Sequence, residues 1–118
     1  MSGLQDAQLL KGVLRLLLLE LLARGESYGY ELVVRLRAHG LGTVGEGSVY
    51  PALGRLERDG LLASRLEPSG RGAARKYYRL TEQGHVALAD ARAAWRALRE
   101  TVERVSEQRE GERTDASA

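Results

Sequence analysis

The chain has no cysteine and no phenylalanine, and its 118 residues include only two prolines, two histidines and one tryptophan. Because cysteine is absent, disulfides and thiolate metal sites are excluded, and a reducing compartment is no obstacle to folding. His39 and His85 fall in different predicted elements, and neither has a nucleophile or a metal-ligand spacing beside it. The sequence therefore predicts no metal, no cofactor and no enzyme.

Long apolar runs are also absent. The run from Leu16 to Leu19 is bounded by Arg15 and Glu20, whereas a membrane-spanning helix needs roughly 20 apolar residues. No small-residue cleavage site follows an apolar run, so no secretion signal is predicted. With 43% hydrophobic residues, the chain is expected to form one compact cytoplasmic domain with a modest core.

Positive charge is concentrated in one segment. The whole chain has a net charge of only +2, but residues 48–80 carry seven arginines and lysines against three acids. A patch of one sign beside apolar anchors is the footprint expected of phosphate binding. A solvated charged surface explains the same charge equally well.

Periodic leucines predict a first helix from about Gln5 to Arg24, ended by Gly25. The leucines make its apolar stripe wider than one small core needs, which indicates a second buried face, such as a subunit contact. Ser27 is the predicted N-cap of a second helix that runs from about Tyr28 to His39.

The segment from Gly40 to Gly45 matches the pattern G-x-G-x-x-G. A dinucleotide site needs a strand before this motif and a helix beginning on it, within a parallel βαβ unit. Here a helix precedes the motif and no parallel sheet is predicted. We interpret the segment as a flexible connector with a short strand near Thr43 and Val44.

A third helix is predicted from Val49 to Asp59, with Ser48 as its N-cap and Pro51 in its first turn. Two strands follow, Leu62 to Glu67 and Ala74 to Leu80, joined by a turn rich in glycine and arginine. A helix followed by a basic hairpin is the layout of a winged helix-turn-helix, which suits a DNA groove and its phosphates. We therefore predict a mainly α fold with a small β-hairpin, in which residues 5–80 form a winged helix-turn-helix domain.

Thr81 is the predicted cap of a last helix that continues to about Glu107. Its apolar residues repeat at steps of three and four, the spacing of a coiled-coil seam. We predict a dimerisation helix over residues 81–108 and, because no apolar face continues beyond it, a disordered tail over residues 109–118. The predicted dimer interface consists of Leu88, Ala91, Trp95, Leu98, Val102 and Val105.

Hydroxyls and cations gather on the third helix and on the hairpin. Hydroxyls in the first turn of a helix lie at the positive end of its dipole, and arginines can reach a base edge or a phosphate. Two alternatives stay open: the ring of Tyr50 packs in the core, and the helix arginines only solubilise the surface. The predicted DNA-binding residues are Ser48, Tyr50, Pro51, Arg55, Arg58, Arg71, Arg75 and Lys76.

Five blocks of this sequence resemble the PadR family of bacterial transcriptional regulators, over roughly Leu10 to Leu88. The Y-P-A-L block and the K-Y-Y-x-L-T block make the resemblance specific. The blocks are L-x-E-L-L at 18–22, S-Y-G-Y-E-L at 27–32, Y-P-A-L at 50–53, D-G-L-L at 59–62 and R-K-Y-Y-R-L-T-E-Q-G at 75–84.

The resemblance implies a dimeric winged-helix repressor that binds double-stranded DNA at an inverted repeat in a promoter and is released by an effector. It also implies that Tyr28 and Tyr30 have a structural role in the helix-two motif and do not contact DNA. Relatives often carry a basic residue where this chain has Gly54, so either a phosphate contact is lost or the backbone approaches DNA more closely. The DNA contacts that the resemblance implies are Ser48, Tyr50, Pro51, Arg55 and Lys76.

Trp95 has two interpretations. Some relatives hold flat aromatic compounds between their subunits near a tryptophan of the last helix, which makes Trp95 a candidate effector contact. Tryptophan is equally suited to anchor a subunit interface. A different class of function also stays open, in which a winged-helix interaction module binds an acidic protein and no DNA.

Overall fold

The structure is a computed structural model that describes residues 7–117, and the side chains of residues 7–108. Most of these residues are helical, and three short strands form one antiparallel sheet, which confirms the fold class predicted from the sequence. The elements in chain order are α1 (Ala7–Ala23), β1 (Ser27–Tyr28), α2 (Gly29–Ala38), α3 (Glu46–Arg58), β2 (Leu62–Glu67), β3 (Arg75–Leu80) and α4 (Glu82–Ser117).

The chain divides into two compact units, one ending at Leu88 and the other beginning at Ala89. In the first unit, α1, α2 and α3 pack their apolar faces together, and the sheet and the first turns of α4 complete the core. Leu18, Leu32 and Leu53, one from each helix, are fully buried. Burial of such side chains is the main favourable term in folding a domain of this size.

The first helix, α1, uses most of its leucines inside this core. Leu14, Leu18 and Leu22 follow the four-residue spacing of one helix face, and Leu19 is fully buried beside them. The wide stripe is thus used mainly within the chain, although Leu9 is exposed. Gly25 has φ +148°, a conformation that favours glycine, as expected of the residue that ends this helix. The predicted start at Gln5 lies outside the described residues.

The sheet has a strand that the sequence did not predict. β3 lies in the middle of the order β1-β3-β2, and Ser27 of β1 pairs with Tyr78. The prediction that Ser27 caps α2 is therefore wrong, because its backbone is in the sheet and its hydroxyl donates to the Glu31 carboxylate. The residue at the N-cap is Tyr28.

The third helix, α3, begins three residues earlier than predicted. Gly45 is the N-cap, and its carbonyl accepts the N–H groups of Ser48 and Val49. Ser48 is therefore a residue of the first turn and not the cap, and Pro51 lies in the second turn. The proline ring removes the hydrogen bond that the Gly47 carbonyl would otherwise accept.

The connector before α3 contains a turn and no strand among its described residues, so the predicted strand at Thr43 and Val44 is wrong. The Val44 side chain is buried, and the Val44 N–H donates to the Leu41 carbonyl. The Arg37 side chain donates to the Val44 carbonyl at 2.8 Å. These bonds satisfy the Val44 backbone locally. A helix precedes the glycine pattern, which excludes the dinucleotide-binding arrangement.

The last helix, α4, begins at Glu82, where the Thr81 hydroxyl accepts the N–H of Gly84 at 3.0 Å, and this confirms Thr81 as its cap. The helix continues to Ser117, beyond the predicted end near Glu107. The expected disorder of residues 109–118 stays a prediction, since the side chains after Gln108 and all of Ala118 lie outside the described part. None of the helices in residues 7–117 is long and apolar enough to cross a membrane.

Candidate nucleic-acid interface

The α3 helix has a buried side and an exposed side. Val49, Ala52, Leu53 and Leu56 point into the core, as the sequence predicted. Because successive side chains are rotated by about 100° around a helix, the exposed arc has two edges. Ser48, Pro51 and Arg55 occupy one edge, Tyr50 and Glu57 occupy the other, and Gly54 and Arg58 lie between them.

The first edge borders a groove between α1 and α3, with a volume of about 660 Å³. Apolar side chains such as Leu10 and Leu14 line it, and Asp59 adds one acid. Five residues with exposed polar or proline side chains surround these: Lys11, Arg15, Ser48, Pro51 and Arg55. The groove thus brings together three predicted DNA-binding residues and two cations of α1.

The second edge is organised by close packing of Tyr50 on α2. The Tyr50 ring lies so near the Gly29 backbone that a Cβ at residue 29 would overlap it. Tyr50 is nevertheless 44% exposed, so the alternative of a core tyrosine does not hold. Partial burial, and then the Glu46 carboxylate, raise the pKa of the Tyr50 phenol, which keeps its hydroxyl protonated and able to donate.

A second cavity, of about 510 Å³, opens beside this ring. Tyrosines and two of the three basic residues of β3 line it. The lining residues are Tyr28, Gly29, Tyr30, Tyr50, Ala74, Arg75, Lys76 and Tyr78. The cavity joins the start of α2, the start of α3 and the hairpin, so Tyr50, Arg75 and Lys76 share one surface.

Lys76 is held by the C-terminal half of α3. Its ammonium lies 2.8 Å from a carboxylate oxygen of Glu57, whose other oxygen accepts the Ser64 hydroxyl. Hydrogen bonds from Lys76 and then Ser64 lower the pKa of the Glu57 carboxyl, and the same bond raises the pKa of Lys76. Both groups therefore stay charged at neutral pH.

Arg75 has a different environment, because side chains alternate along a strand. Its guanidinium lies 4.6 Å from the centre of the Tyr28 ring, which makes an edge contact with Tyr77. Arg65 lies 5.0 Å from the Tyr77 ring and pairs with the carboxylates of Glu26 and Glu67. These cation–π and ion-pair contacts stabilise the outer face of the sheet, so Arg75 has a structural contact that the sequence did not reveal.

The remaining predicted cations are exposed. Within the described part of the chain, no residue forms an ion pair with Arg55, Arg58 or Arg71. Arg55 and Arg58 lie on α3, whereas Arg71 lies at the tip of the hairpin. All three guanidinium groups are available to an anionic partner.

Three participants in this surface were missed from the sequence. Lys11 and Arg15 are one helical turn apart on α1, which places them on one face, but only the packing of α1 on α3 sets them beside Arg55. Glu57 follows three residues after Gly54 in a helix whose charged residues show no special pattern. Its pairing with Lys76 joins residues 19 positions apart, and no local spacing signals it.

The second unit is one helix with an exposed apolar stripe. Trp95, Leu98, Val102 and Val105 are between 44% and 60% exposed. Ala91 is half-buried. Leu88 differs from these residues, since it belongs to the core of the first unit and is only 3% exposed. It has almost no surface to offer a partner, so we correct its assignment from the predicted seam to the core.

No group of three or more His, Asp or Glu side chains in the described residues is arranged to hold a metal ion. The exposed hydroxyls and guanidinium groups instead form a surface that can donate hydrogen bonds to anionic oxygens. The arrangement is therefore suited to binding an anionic partner.

The known proteins that this chain resembles in sequence and in structure are transcriptional regulators. The family model described as the transcriptional regulator PadR-like family matches residues 18–90. Transcriptional regulator Rv3488 of Mycobacterium tuberculosis is 40% identical over 92 residues, covering 78% of this chain and 84% of that protein. A PadR-like transcriptional regulator from Bacillus cereus has a similar structure, with a TM-score of 0.74, 38% identity, and coverage of 84% of this chain and 96% of the other.

A more distant neighbour is Bacillus subtilis PadR, whose crystal structure was solved in complex with operator DNA. Its TM-score is 0.60 at 31% identity, covering 66% of this chain and 45% of that one. Members of this family are transcriptional regulators and not enzymes, in agreement with the sequence analysis. Because the family model matches more than half of its residues, this chain belongs to the PadR-like family of transcriptional regulators.

Proposed function

We propose that this regulator binds a specific inverted-repeat operator as a homodimer, represses the promoter there, and is released by a small-molecule effector. The observation that carries the proposal is the exposed arc of α3. It presents Ser48, Pro51 and Arg55 on one edge and Tyr50 on the other, with cations of α1 and of the hairpin on either side.

The first turns of α3 enter the major groove in this proposal. Arg55 and Arg58 reach base edges or phosphates, and Ser48 and Tyr50 donate their hydroxyls to phosphate oxygens. Gly54 lies between the two edges, and nothing lies within 4 Å of the position its Cβ would occupy. Because this space is open, the helix backbone can approach DNA closely at Gly54.

The hairpin extends the interface to the DNA backbone. Lys76 and Arg71 contact phosphates flanking the groove, and Arg75 adds a contact if its guanidinium leaves the Tyr28 ring. Support comes from the neighbouring Bacillus subtilis protein, which was solved with operator DNA. A regulator with this activity acts on the chromosome, which places it in the cytoplasm.

The exposed stripe of α4 supports the proposed homodimer. Trp95, Leu98, Val102 and Val105 leave a row of apolar side chains in water, and a second copy of the same helix covers such a row by coiled-coil packing. A two-fold axis would then present two α3 helices to successive major grooves, about 34 Å apart.

The effector is proposed to contact Trp95 between the two copies. The indole is 44% exposed in the single chain, so a flat aromatic compound can stack on it. Such a compound releases DNA only if it binds one arrangement of the two subunits more tightly than the other. Quenching of the single tryptophan by aromatic compounds, followed by loss of DNA binding at the same concentrations, tests this step.

The DNA-binding proposal is tested by mobility shift with the DNA upstream of the regulator's own gene. Arg55→Gln should weaken binding by about 1–3 kcal/mol if Arg55 contacts a base. The matched control is Arg79→Gln, which removes the same charge from an exposed position on β3 whose neighbours Tyr78 and Leu80 face the core.

The salt dependence separates this function from its main alternative. Affinity should fall steeply as salt rises, because phosphate contacts release counterions. An interaction module for acidic proteins would bind no duplex even at low salt. That result, or equal affinities for the Arg55→Gln and Arg79→Gln variants, would contradict the proposed interface.

A further inference from the structure

Glu57 is the acidic residue at the hairpin edge of α3, and it contacts two strands at once. One carboxylate oxygen lies 2.8 Å from the Lys76 ammonium on β3, and the other accepts the hydroxyl of Ser64 on β2. The Ser64 hydroxyl fixes the carboxylate, so the ammonium meets an oriented partner. The Lys76 ammonium also lies 5.4 Å from the Tyr78 ring.

The position of this pair on the surface gives it a consequence. The Lys76 side chain is 46% exposed and that of Glu57 is 31% exposed, so solvent and other solutes reach both. A DNA phosphate that approaches Lys76 must share or replace the Glu57 carboxylate. It also approaches a negative charge, which costs free energy if Lys76 leaves it unpaired.

We infer that Glu57 is a specificity-determining residue, which holds Lys76 and competes with DNA phosphates for it. This inference rests on the proposed DNA-binding function. Binding to DNA of arbitrary sequence depends on phosphate contacts almost alone. A carboxylate that occupies one cation of the interface therefore weakens that binding proportionally more than binding to the operator, where base contacts add to the affinity.

Glu67 is an acid that stabilises the sheet without lying at the candidate interface. Glu67 pairs with Arg65, which also binds Glu26 and stacks on Tyr77. Neither Arg65 nor Glu67 borders the two cavities next to α3. Glu57 and Glu67 thus each pair with a cation of the hairpin, but only the partner of Glu57 belongs to the candidate interface.

The test uses the full-length protein and a duplex of arbitrary sequence, with affinity measured by fluorescence anisotropy over a range of salt concentrations. Glu57→Gln keeps the side-chain shape and can still accept the Ser64 hydroxyl. It should bind this duplex roughly 1.5- to fivefold more tightly than the wild type, the range expected for one exposed ion pair. The slope of log affinity against log salt should steepen by up to about 0.9, because the freed Lys76 ammonium then neutralises a phosphate fully and displaces one counterion from the DNA.

A double-mutant cycle separates competition from general repulsion. In a Lys76→Gln background, Glu57→Gln should change affinity by less than in the wild type, because no ammonium remains to be released. Glu67→Gln, the matched control with the same change in charge, should leave the salt slope within error of the wild type. Glu57→Asp, which keeps the charge, should restore a wild-type salt slope.

Several outcomes overturn the inference. Equal tightening by Glu57→Gln with and without Lys76 would show that Glu57 acts only by long-range repulsion. Weaker binding by Glu57→Gln would show that Glu57 positions Lys76 for DNA and does not compete for it. If no variant binds DNA at low salt, the proposed function fails together with the inference, whereas wild-type binding that Glu57→Gln leaves unchanged refutes only the inference.

Discussion

Replacement of Gly84 by alanine tests how the first turn of α4 is fixed to the hairpin. A Cβ at residue 84 would overlap the carbonyl oxygen of Leu61 and would lie 3.2 Å from its carbonyl carbon and 3.3 Å from Cδ2 of Leu80. The Leu61 backbone has little freedom to move. Its N–H donates to the Leu56 carbonyl at 3.0 Å, and its carbonyl accepts the Thr81 N–H at 3.1 Å.

Two opposing terms set the expected change in the free energy of unfolding. Forcing one extra methyl group into a packed site costs typically about 1–3 kcal/mol, and the contact here is with backbone, which cannot rotate away. Alanine has a better helix propensity than glycine by at most about 1 kcal/mol. Gly84→Ala is therefore expected to lower the free energy of unfolding, because overpacking outweighs the gain in helix propensity. Each kcal/mol lost should lower Tm by about 4–8 °C in a domain of this size.

Gly54→Ala is the matched control. Gly54 lies inside α3, and nothing lies within 4 Å of the position its Cβ would occupy. The same substitution there should raise the free energy of unfolding by up to about 1 kcal/mol. Urea unfolding followed by circular dichroism, at one fixed protein concentration because subunit association adds to stability, compares the variants. If Gly84→Ala were as stable as Gly54→Ala, the close approach of α4 to Leu61 would be refuted.

Three other perturbations have defined outcomes. Gly29→Ala should displace the Tyr50 ring into an unfavourable rotamer, which should lower the free energy of unfolding by about 0.5–1.5 kcal/mol. DNA binding measured by mobility shift should also weaken, and unchanged binding would show that Tyr50 does not contact DNA. Val102→Asp should place a charge in the apolar stripe of α4, so light scattering should detect monomers and operator binding should fall in parallel. A monomer that binds as the wild type does would separate the two properties. Because the pKa of Glu57 is lowered in the folded state, its stabilising contribution is complete above about pH 4.5 and is lost as the pH falls through its folded-state pKa. Glu57→Gln should therefore flatten the acid side of the plot of unfolding free energy against pH. An identical plot for the variant and the wild type would show that the pair does not stabilise the fold.

The sequence predicted the elements whose signals are local. The 3.6-residue period of leucines gave α1 and the inner face of α3, and two alternating runs around a glycine-rich turn gave the hairpin. Thr81 was identified as a cap because its hydroxyl serves a backbone group only three residues away. Each of these features depends on neighbours within one or two turns, which is why residue spacing was enough.

Other predictions were wrong, two of them because a segment distant in the chain sets the position of the residue. Ser27 has the composition of a helix cap, yet pairing with Tyr78 drew it into the sheet. Leu88 fits the seam spacing of α4, but the core of the first unit buries it. The prediction for Ser48 failed for a local reason, since the helix begins three residues earlier, with Gly45 as an N-cap that makes no side-chain hydrogen bond.

The amino-acid sequence by itself determined the class of fold, the family and the hydroxyls and cations of the candidate interface, because these follow from periodicity, composition and short motifs. Only the tertiary structure decided which charges are available and which are paired. Lys76 lies against Glu57, Arg75 lies on Tyr28, and Arg55 faces a groove shared with α1. Such pairings depend on distances between segments far apart in the chain, and packing of the core sets those distances.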